Sequence, residues 1–472
     1  MHNEQIFTPI DIVQEILDNL SYYGTNVRKK HIIDNSCGDG VFLCEIVRRY
    51  INVCLSIGLP KEETVLELET YIHGIEIDTS LCEKTIENLN KILKSYSIDT
   101  EINWDIINCD AMDFVSFNNK MDYVVGNPPY CKVHDLGDNY DKVKQYHFAN
   151  GGMTDLYLVF FEIGINMLND KGKLGYITPN SWLTSNAGRN FRLSLVLNNN
   201  LRKIIHFGHK KVFKNADTYT CITILDKVGN ENDIVEWENR ETNLKRRMGI
   251  EHMLHDGKLY LASDNIYNLF REMSESPLPT TIRCKNGFAT LNDKLFTVDD
   301  FVKVHGLCEN ILPVIKASNG ERHFFFYPYD EEGKPIKSLL DIQCPELVDY
   351  MIDKAEELEV DTESVDWYYY GRTQAINDVK YDKLILNNLI RDEKDLTLEY
   401  IISEPQQQGV YSGLYIVCDI PLSNFIIRKL NSKEFGEYIQ AVGSYKSGGY
   451  YSFSTKDVER YLNFKYKQKL ES

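Results

Sequence analysis

At 472 residues and 43% hydrophobic, the chain carries apolar surface for about two to three domains. It has no run of about 18 apolar residues to span a membrane, and nothing like a signal peptide follows Met1. The formal charge of −18 excludes a uniformly basic grip on nucleic acid, and 11 scattered cysteines without a Cys-x-x-Cys pair support neither a zinc site nor a disulfide framework, so no metal and a reducing cytoplasm are expected.

Thr8-Pro9 followed by Ile12, Val13, Ile16, Leu17 and Leu20 predicts an amphipathic helix with Thr8 at its N-cap and Pro9 at the first helical position. His31-Ile32-Ile33-Asp34 predicts a short strand, and Asn35-Ser36-Cys37-Gly38-Asp39-Gly40 leads from it into a helix bearing Val41, Phe42, Leu43, Ile46 and Val47. Strand, glycine turn and helix N-terminus bring backbone close to a ligand, although such a turn also serves as a plain connection. The next strand, Tyr71 to Asp78, ends in two acids about forty residues later, with residues 58–69 read as an insertion. Glu76 is placed to take the two hydroxyls of a ribose, while Asp78 suits the cap of the following helix.

Ile106-Ile107-Asn108-Cys109-Asp110-Ala111 predicts a third strand ending in an acid, and Met121 to Gly126 a fourth, which runs into Asn127-Pro128-Pro129-Tyr130. The candidate ligand groups therefore fall at the C-terminal ends of successive strands, the edge where open parallel sheets bind ligands. Two prolines make the tetrad stiff and rich in acceptors. An amino group on an aromatic ring is a poor nucleophile because its lone pair is delocalised. If the Asn127 side-chain oxygen and the Pro128 carbonyl each accept one of its hydrogens, that lone pair is freed, and Tyr130 offers a face for a base to stack on. An ordinary rigid turn is the other reading of the tetrad taken alone.

Residues 131–152, with His134, Lys142, Lys144, Tyr146 and His147, form either a lid or a long surface loop. A helix over 154–168, a strand at Lys173 to Thr178 and a helix over 182–197 follow, and then two strands, Arg202 to Phe207 and Thr220 to Leu225, read as the last of the sheet. Between them Phe213, in Val212-Phe213-Lys214-Asn215, is expected at an exposed sheet edge. From about residue 227 the pattern turns to short strands and aromatic clusters at Phe324 to Tyr329, Trp367 to Arg372 and Ser447 to Tyr451, suited to contact with other molecules or to ordinary core packing.

Taken together, Phe7-Thr8-Pro9, Asp34-x-x-Cys37-Gly38-x-Gly40-x-Phe42-Leu43, Gly74-Ile75-Glu76-Ile77-Asp78, Asp110-Ala111 and Asn127-Pro128-Pro129-Tyr130 resemble the class-γ (TaqI-like) DNA N6-adenine methyltransferases over about residues 5–226. The segment from Gly287 to Phe296 is similar to one near the start of the target-recognition region in that class. The resemblance implies an α/β fold: a Rossmann-like S-adenosylmethionine-dependent domain with a mixed, mostly parallel sheet at 1–228, then an α+β target-recognition domain at 229–472. It implies S-adenosylmethionine as methyl donor. Thr8 would hold the methionine end, with Asp34, Gly38 and Gly40 beside methionine and sugar. Glu76 would lie at the ribose, Ile77 on the cofactor ring, and Asp110 with Ala111 at the cofactor's adenine. Asn127, also near the cofactor, and Pro128 would grip the target amino group, with Tyr130 and Phe213 as the aromatic walls around a flipped adenine.

The resulting expectation is site-specific methylation of adenine N6 in duplex DNA, cytoplasmic and nucleoid-associated in a bacterium, with a separate cognate restriction endonuclease as a possible partner. Almost nothing precedes the Thr8 helix, so a fused N-terminal nuclease is not expected. The alternatives are an RNA or protein-glutamine methyltransferase using the same tetrad, and a non-catalytic DNA-binding subunit. Basic clusters at Arg28-Lys29-Lys30 and Lys210-Lys211 read as solvated patches, and those at Lys142 to Lys144 and Lys245 to Arg247 are the candidates for a DNA channel.

Overall fold

The computed structural model describes residues 8–132, 140–149, 154–208, 210–213, 218–229, 233–275, 277–390, 400–403, 408–446 and 450–471. The expectations placed on Phe7, His134, Lys214, Asn215 and Ser447-Gly448-Gly449 lie outside these residues. The chain divides into two compact units, Met1–Ser263 and Asp264–Ser472.

The first unit is built on one nine-stranded sheet. Its strands are β1 (Ile32–Asp34), β2 (Ile72–Glu76), β3 (Asp105–Asn108), β4 (Met121–Gly126), β5 (Leu168–Pro179), β6 (Leu201–His206), β7 (Thr220–Asp226), β8 (Ile234–Asn239) and β9 (Leu244–Gly249), in the order β3-β2-β1-β4-β5-β7-β6-β8-β9. The β3-β2-β1-β4-β5 stretch is parallel throughout, β7 runs antiparallel to both its neighbours, β8 lies parallel to β6, and β9 closes antiparallel to β8. The sheet is thus mixed and mostly parallel, as expected.

The connections are helical. α1 (Ile10–Asn19) precedes β1, α2 (Val41–Ser56) and α3 (Lys61–Tyr71) join β1 to β2, and α4 (Thr79–Ser95) joins β2 to β3. A short α5 (Tyr140–Val143) and α6 (Leu156–Met167) lie between β4 and β5, and α7 (Arg189–Asn198) precedes β6. Apolar residues at helical spacing face the sheet: Ile12, Val13, Ile16 and Leu17 of α1 and Phe42, Leu43, Ile46 and Val47 of α2 are all buried in one cluster. Gly175 of β5 lets α1 come close, since a Cβ there would lie 2.8 Å from Ile16 Cγ2. The chain enters at β1, builds β2 and β3 to one side and returns to place β4 on the other, so the strand order reverses between β1 and β4. That reversal is where open α/β sheets bind ligands at their carboxyl ends.

Residues 58–69, read as an insertion, mostly form α3, with Val65 and Leu68 buried. Two expectations change here. The sheet does not end with β7: β8 supplies the backbone partners that β6 would otherwise lack at its edge, and Val235 and Trp237 bury one of its faces. The division after residue 228 would cut this sheet between β7 and β8, and the compact unit instead runs to Ser263.

The second unit is α+β. One sheet joins Cys284–Asn286, Leu414–Val417, Lys383–Leu386 and Tyr400–Ser403, and another joins Arg322–Phe326, Ile311–Lys316 and Gly409–Tyr411, with helices such as Pro345–Glu357 and Thr455–Glu471. Its aromatic stretches are chiefly core: Phe325, Phe326, Tyr329, Tyr368 and Tyr370 are buried in one cluster.

Candidate cofactor and target-base site

The glycine turn after β1 is tied down from α4. Thr85 Oγ1 donates to the Gly38 carbonyl at 2.8 Å, and Asn88 Nδ2 donates to that of Asp39 at 2.9 Å. Gly38 and Gly40 hold φ of +55° and +85°, and a Cβ on Gly40 would lie 2.8 Å from Thr85 Cγ2. No other residue type fits both the conformation and that space. The Gly38 N–H donates to Glu76 Oε2 at 2.9 Å while Glu76 Oε1 accepts from the Asp78 N–H at 3.0 Å, which sets the carboxylate beside the turn. Asp78 caps α4 through the N–H groups of Ser80 and Leu81, the role expected of it.

The carboxyl ends of β1 and β4 meet. Asp34 is 1% exposed, pairs in register with Val125, and lies so near Gly126 that a Cβ there would be 2.7 Å from Asp34 Oδ1. Burial pushes the Asp34 carboxyl up to about 8, against the Ser36 N–H that favours its charge. Next to it, Asn35 Nδ2 and Ser36 Oγ are buried without a hydrogen-bond partner. Such orphaned groups call for a polar partner.

Farther along the same edge, Ile77 is 67% exposed although it directly follows a buried strand. An apolar side chain so placed is fit to cover a planar ring. Asp110 caps the turn Ala111–Asp113 by accepting from the Met112 N–H at 2.9 Å, and Ala111 is buried beneath it. An acid at each of two strand ends with an exposed apolar residue between them suits the hydroxyl and amino groups and the ring of a nucleoside.

The tetrad leaves β4 at Gly126. Asn127 Nδ2 donates to Thr8 Oγ1 at 3.1 Å, and the Tyr130 hydroxyl donates to Asn127 Oδ1 at 2.5 Å and lies 3.3 Å from the Ile177 carbonyl. Thr8 therefore does not cap α1, whose N-cap is Pro9 without a side-chain bond; its hydroxyl belongs to Asn127. Burial holds the Tyr130 phenol far above its ordinary range, so it stays a neutral donor. Phe213 is 3% exposed, not at an open edge: it packs into the cluster beneath the sheet's end, its ring 6.3 Å from that of Tyr130 and inclined by 63°. Nothing in the sequence pattern marked the bond between Asn127 and the Thr8 hydroxyl, the orphaned Asn35 and Ser36 groups, or an ion pair of Asp110 with Lys142 (2.7 Å), because each depends on residues distant in the chain.

The two clusters expected to line a DNA channel are largely neutralised. Lys142 bonds Asp110 and Asp113, Lys144 bonds Asp141, Lys245 pairs with Glu238 at 3.0 Å and Arg247 with Glu236 at 3.1 Å. Cross-strand pairing of β9 with the acid-bearing β8 is the physical reason for the last two. Among the described residues no group of three potential metal ligands occurs and no helix is long and apolar enough to cross a membrane.

Residues 44–213 match the Eco57I restriction-modification methylase family. The chain is 23% identical over 93% of its length to the type II restriction enzyme and methyltransferase RM.Eco57I of Escherichia coli. It is 29% identical over 50% of its length to the type II methyltransferase M.BstVI of Geobacillus stearothermophilus. It spans 54% and 44% of the length of these two relatives. In fold, 94% of the chain superposes on 64% of the type IIL restriction-modification enzyme MmeI, solved in complex with DNA, with a TM-score of 0.63 at 14% identity. The motif set read from the sequence and these relatives agree on a likeness to the methyltransferases of restriction-modification systems.

Proposed function

We propose that this protein is an S-adenosylmethionine-dependent, site-specific DNA methyltransferase that modifies adenine N6. The observation that carries the reading is the fixed amide of Asn127: with its Nδ2 donating to Thr8, the acceptor it offers an aromatic amino group is Oδ1, which accepts from the Tyr130 hydroxyl and keeps a second lone pair. Duplex DNA is the substrate of choice because the relatives are type II methyltransferases, and the second unit is assigned to target recognition on the same ground.

The cofactor, when bound, supplies an electrophilic methyl on a sulfonium. Asn35, Ser36 and the backbone near Thr8 hold its methionine end, Glu76 its ribose hydroxyls, Ile77 the face of its base, and Asp110 with Ala111 the edge. Asn127 Oδ1 and the Pro128 carbonyl accept the two hydrogens of the target amino group and draw its lone pair out of the ring. Tyr130 walls the flipped base, returning part of the few kcal/mol lost on extrusion, and Phe213 backs the Tyr130 ring from the buried cluster. Rate then comes from positioning and fixed dipoles, and the proton leaves after methylation, when the nitrogen is acidic.

The test is transfer of labelled methyl from S-adenosylmethionine to unmethylated genomic DNA, with nucleoside analysis and mapping. N6-methyladenine in one short sequence context supports the proposal. Cofactor binding without transfer to DNA overturns the substrate and directs the search to RNA or protein.

A further inference from the structure

The segment that follows the tetrad is fastened to the end of β3. Lys142 Nζ on α5 lies 2.7 Å from Asp110 Oδ2 and also bonds Asp113, and the Tyr146 hydroxyl donates to the Met112 carbonyl at 2.9 Å. All three partners belong to the turn that Asp110 caps. The ion pair is partly shielded, its side chains being 24% and 18% exposed, so solvent screens it less than a surface pair. Burial works against the Lys142 charge, yet the bonds to Asp110 and Asp113 outweigh it and raise its pKa.

An isolated carboxylate at a strand end rotates freely and accepts from water. Asp110 cannot: one oxygen is held by the Met112 N–H and the other by Lys142. Each oxygen keeps a second lone pair for a further donor. Lys142 also separates Asp110 from Asp113, two acids that otherwise repel across one short turn.

We infer that Lys142 is a positioning residue for the cofactor site: it fixes the Asp110 carboxylate in the orientation that accepts the exocyclic amino group of the cofactor's adenine. The inference rests on the assignment of Asp110 to that amino group. It ties the chain just beyond the target-base tetrad to the base end of the cofactor pocket.

Calorimetric titration of the full chain with S-adenosylhomocysteine, and with its analogue bearing hydrogen in place of the 6-amino group, tests this. Lys142→Gln should raise Kd for S-adenosylhomocysteine by about tenfold, the scale of one charge-assisted bond, and leave Kd for the analogue within about twofold. Lys142→Arg, which keeps the charge, should restore most of the loss. Equal losses for both ligands would mean that Lys142 only packs the segment, and tighter binding by Lys142→Gln would mean that it competes for Asp110; either overturns the inference. If the unaltered chain discriminates against the analogue and Lys142→Gln does not change that preference, Lys142 fails while the Asp110 assignment stands. If the unaltered chain binds both ligands alike, the assignment itself falls and the inference with it.

Discussion

The Tyr130 hydroxyl donates to Asn127 Oδ1 at 2.5 Å. That oxygen is the one proposed to accept a hydrogen from the target amino group, so the residue that is to stack on the base also occupies the base's acceptor. An amide oxygen has two lone pairs, so the target amino group either shares Asn127 Oδ1 with the hydroxyl or displaces it. The Ile177 carbonyl, 3.3 Å away, is an alternative acceptor already within reach.

Removing the hydroxyl while keeping the ring separates the two roles. Tyr130→Phe should methylate duplex DNA at least as fast as the unaltered protein in single-turnover assays. Tyr130→Ala should be slower by a factor of about 5–150, the equivalent of the 1–3 kcal/mol of one base stack. A slow Tyr130→Phe variant would mean that the hydroxyl itself takes part. Asn127→Ala should abolish turnover and leave cofactor binding in place.

Thr8 orients the Asn127 amide, since its hydroxyl accepts from Nδ2. Thr8→Val removes that acceptor and lets the amide turn over. It should lower kcat by about tenfold, the value of one hydrogen bond of this kind, while Thr8→Ser retains activity. Unequal changes in KM for DNA would point to a different role.

Ile77 is 67% exposed, so its truncation creates no cavity. Ile77→Ala should leave the unfolding midpoint in urea unchanged and raise Kd for S-adenosylmethionine about fivefold, in line with losing about 1 kcal/mol of apolar cover.

Gly40 combines a φ of +85° with Thr85 at van der Waals contact or closer. Gly40→Ala should destabilise the chain by about 1–3 kcal/mol, measurable by urea denaturation, and the loss should be smaller when Thr85 is also replaced by serine, whose side chain lacks the Cγ2 that a Cβ would meet.

Asp34 makes stability depend on pH in a direction opposite to that of a salt-bridged acid. Its carboxyl is pushed by burial from an ordinary 3.8 to about 8 in the folded protein, so between those values the folded state binds more protons than the unfolded one. The stability it contributes is complete below about pH 4 and is lost as pH rises through about 8. Asp34→Asn should flatten that part of the profile, measured as the urea midpoint between pH 5 and 9; an unchanged slope would assign it to other groups.

Local sequence determined much of this protein. Short apolar runs and glycine placement marked β1, β2, β4, β6 and β7 within a residue or two, because a buried strand flanked by polar turns has few other conformations. The acids at strand ends were legible for the same reason: Asp78 caps its own helix through neighbours two and three residues away, and Glu76 is the last residue of β2, two positions earlier. Tertiary structure decided what depended on chain segments far apart. β8 joined the sheet because β6 had an unpaired edge, a property no window of sequence displays. Phe213 went inward because a cluster assembled from α1 to α4 and six strands was there to receive it. Thr8 left its own helix for Asn127, 119 positions away, since folding brought an unpaired amide to its hydroxyl and a buried polar group without a partner costs more than a lost cap.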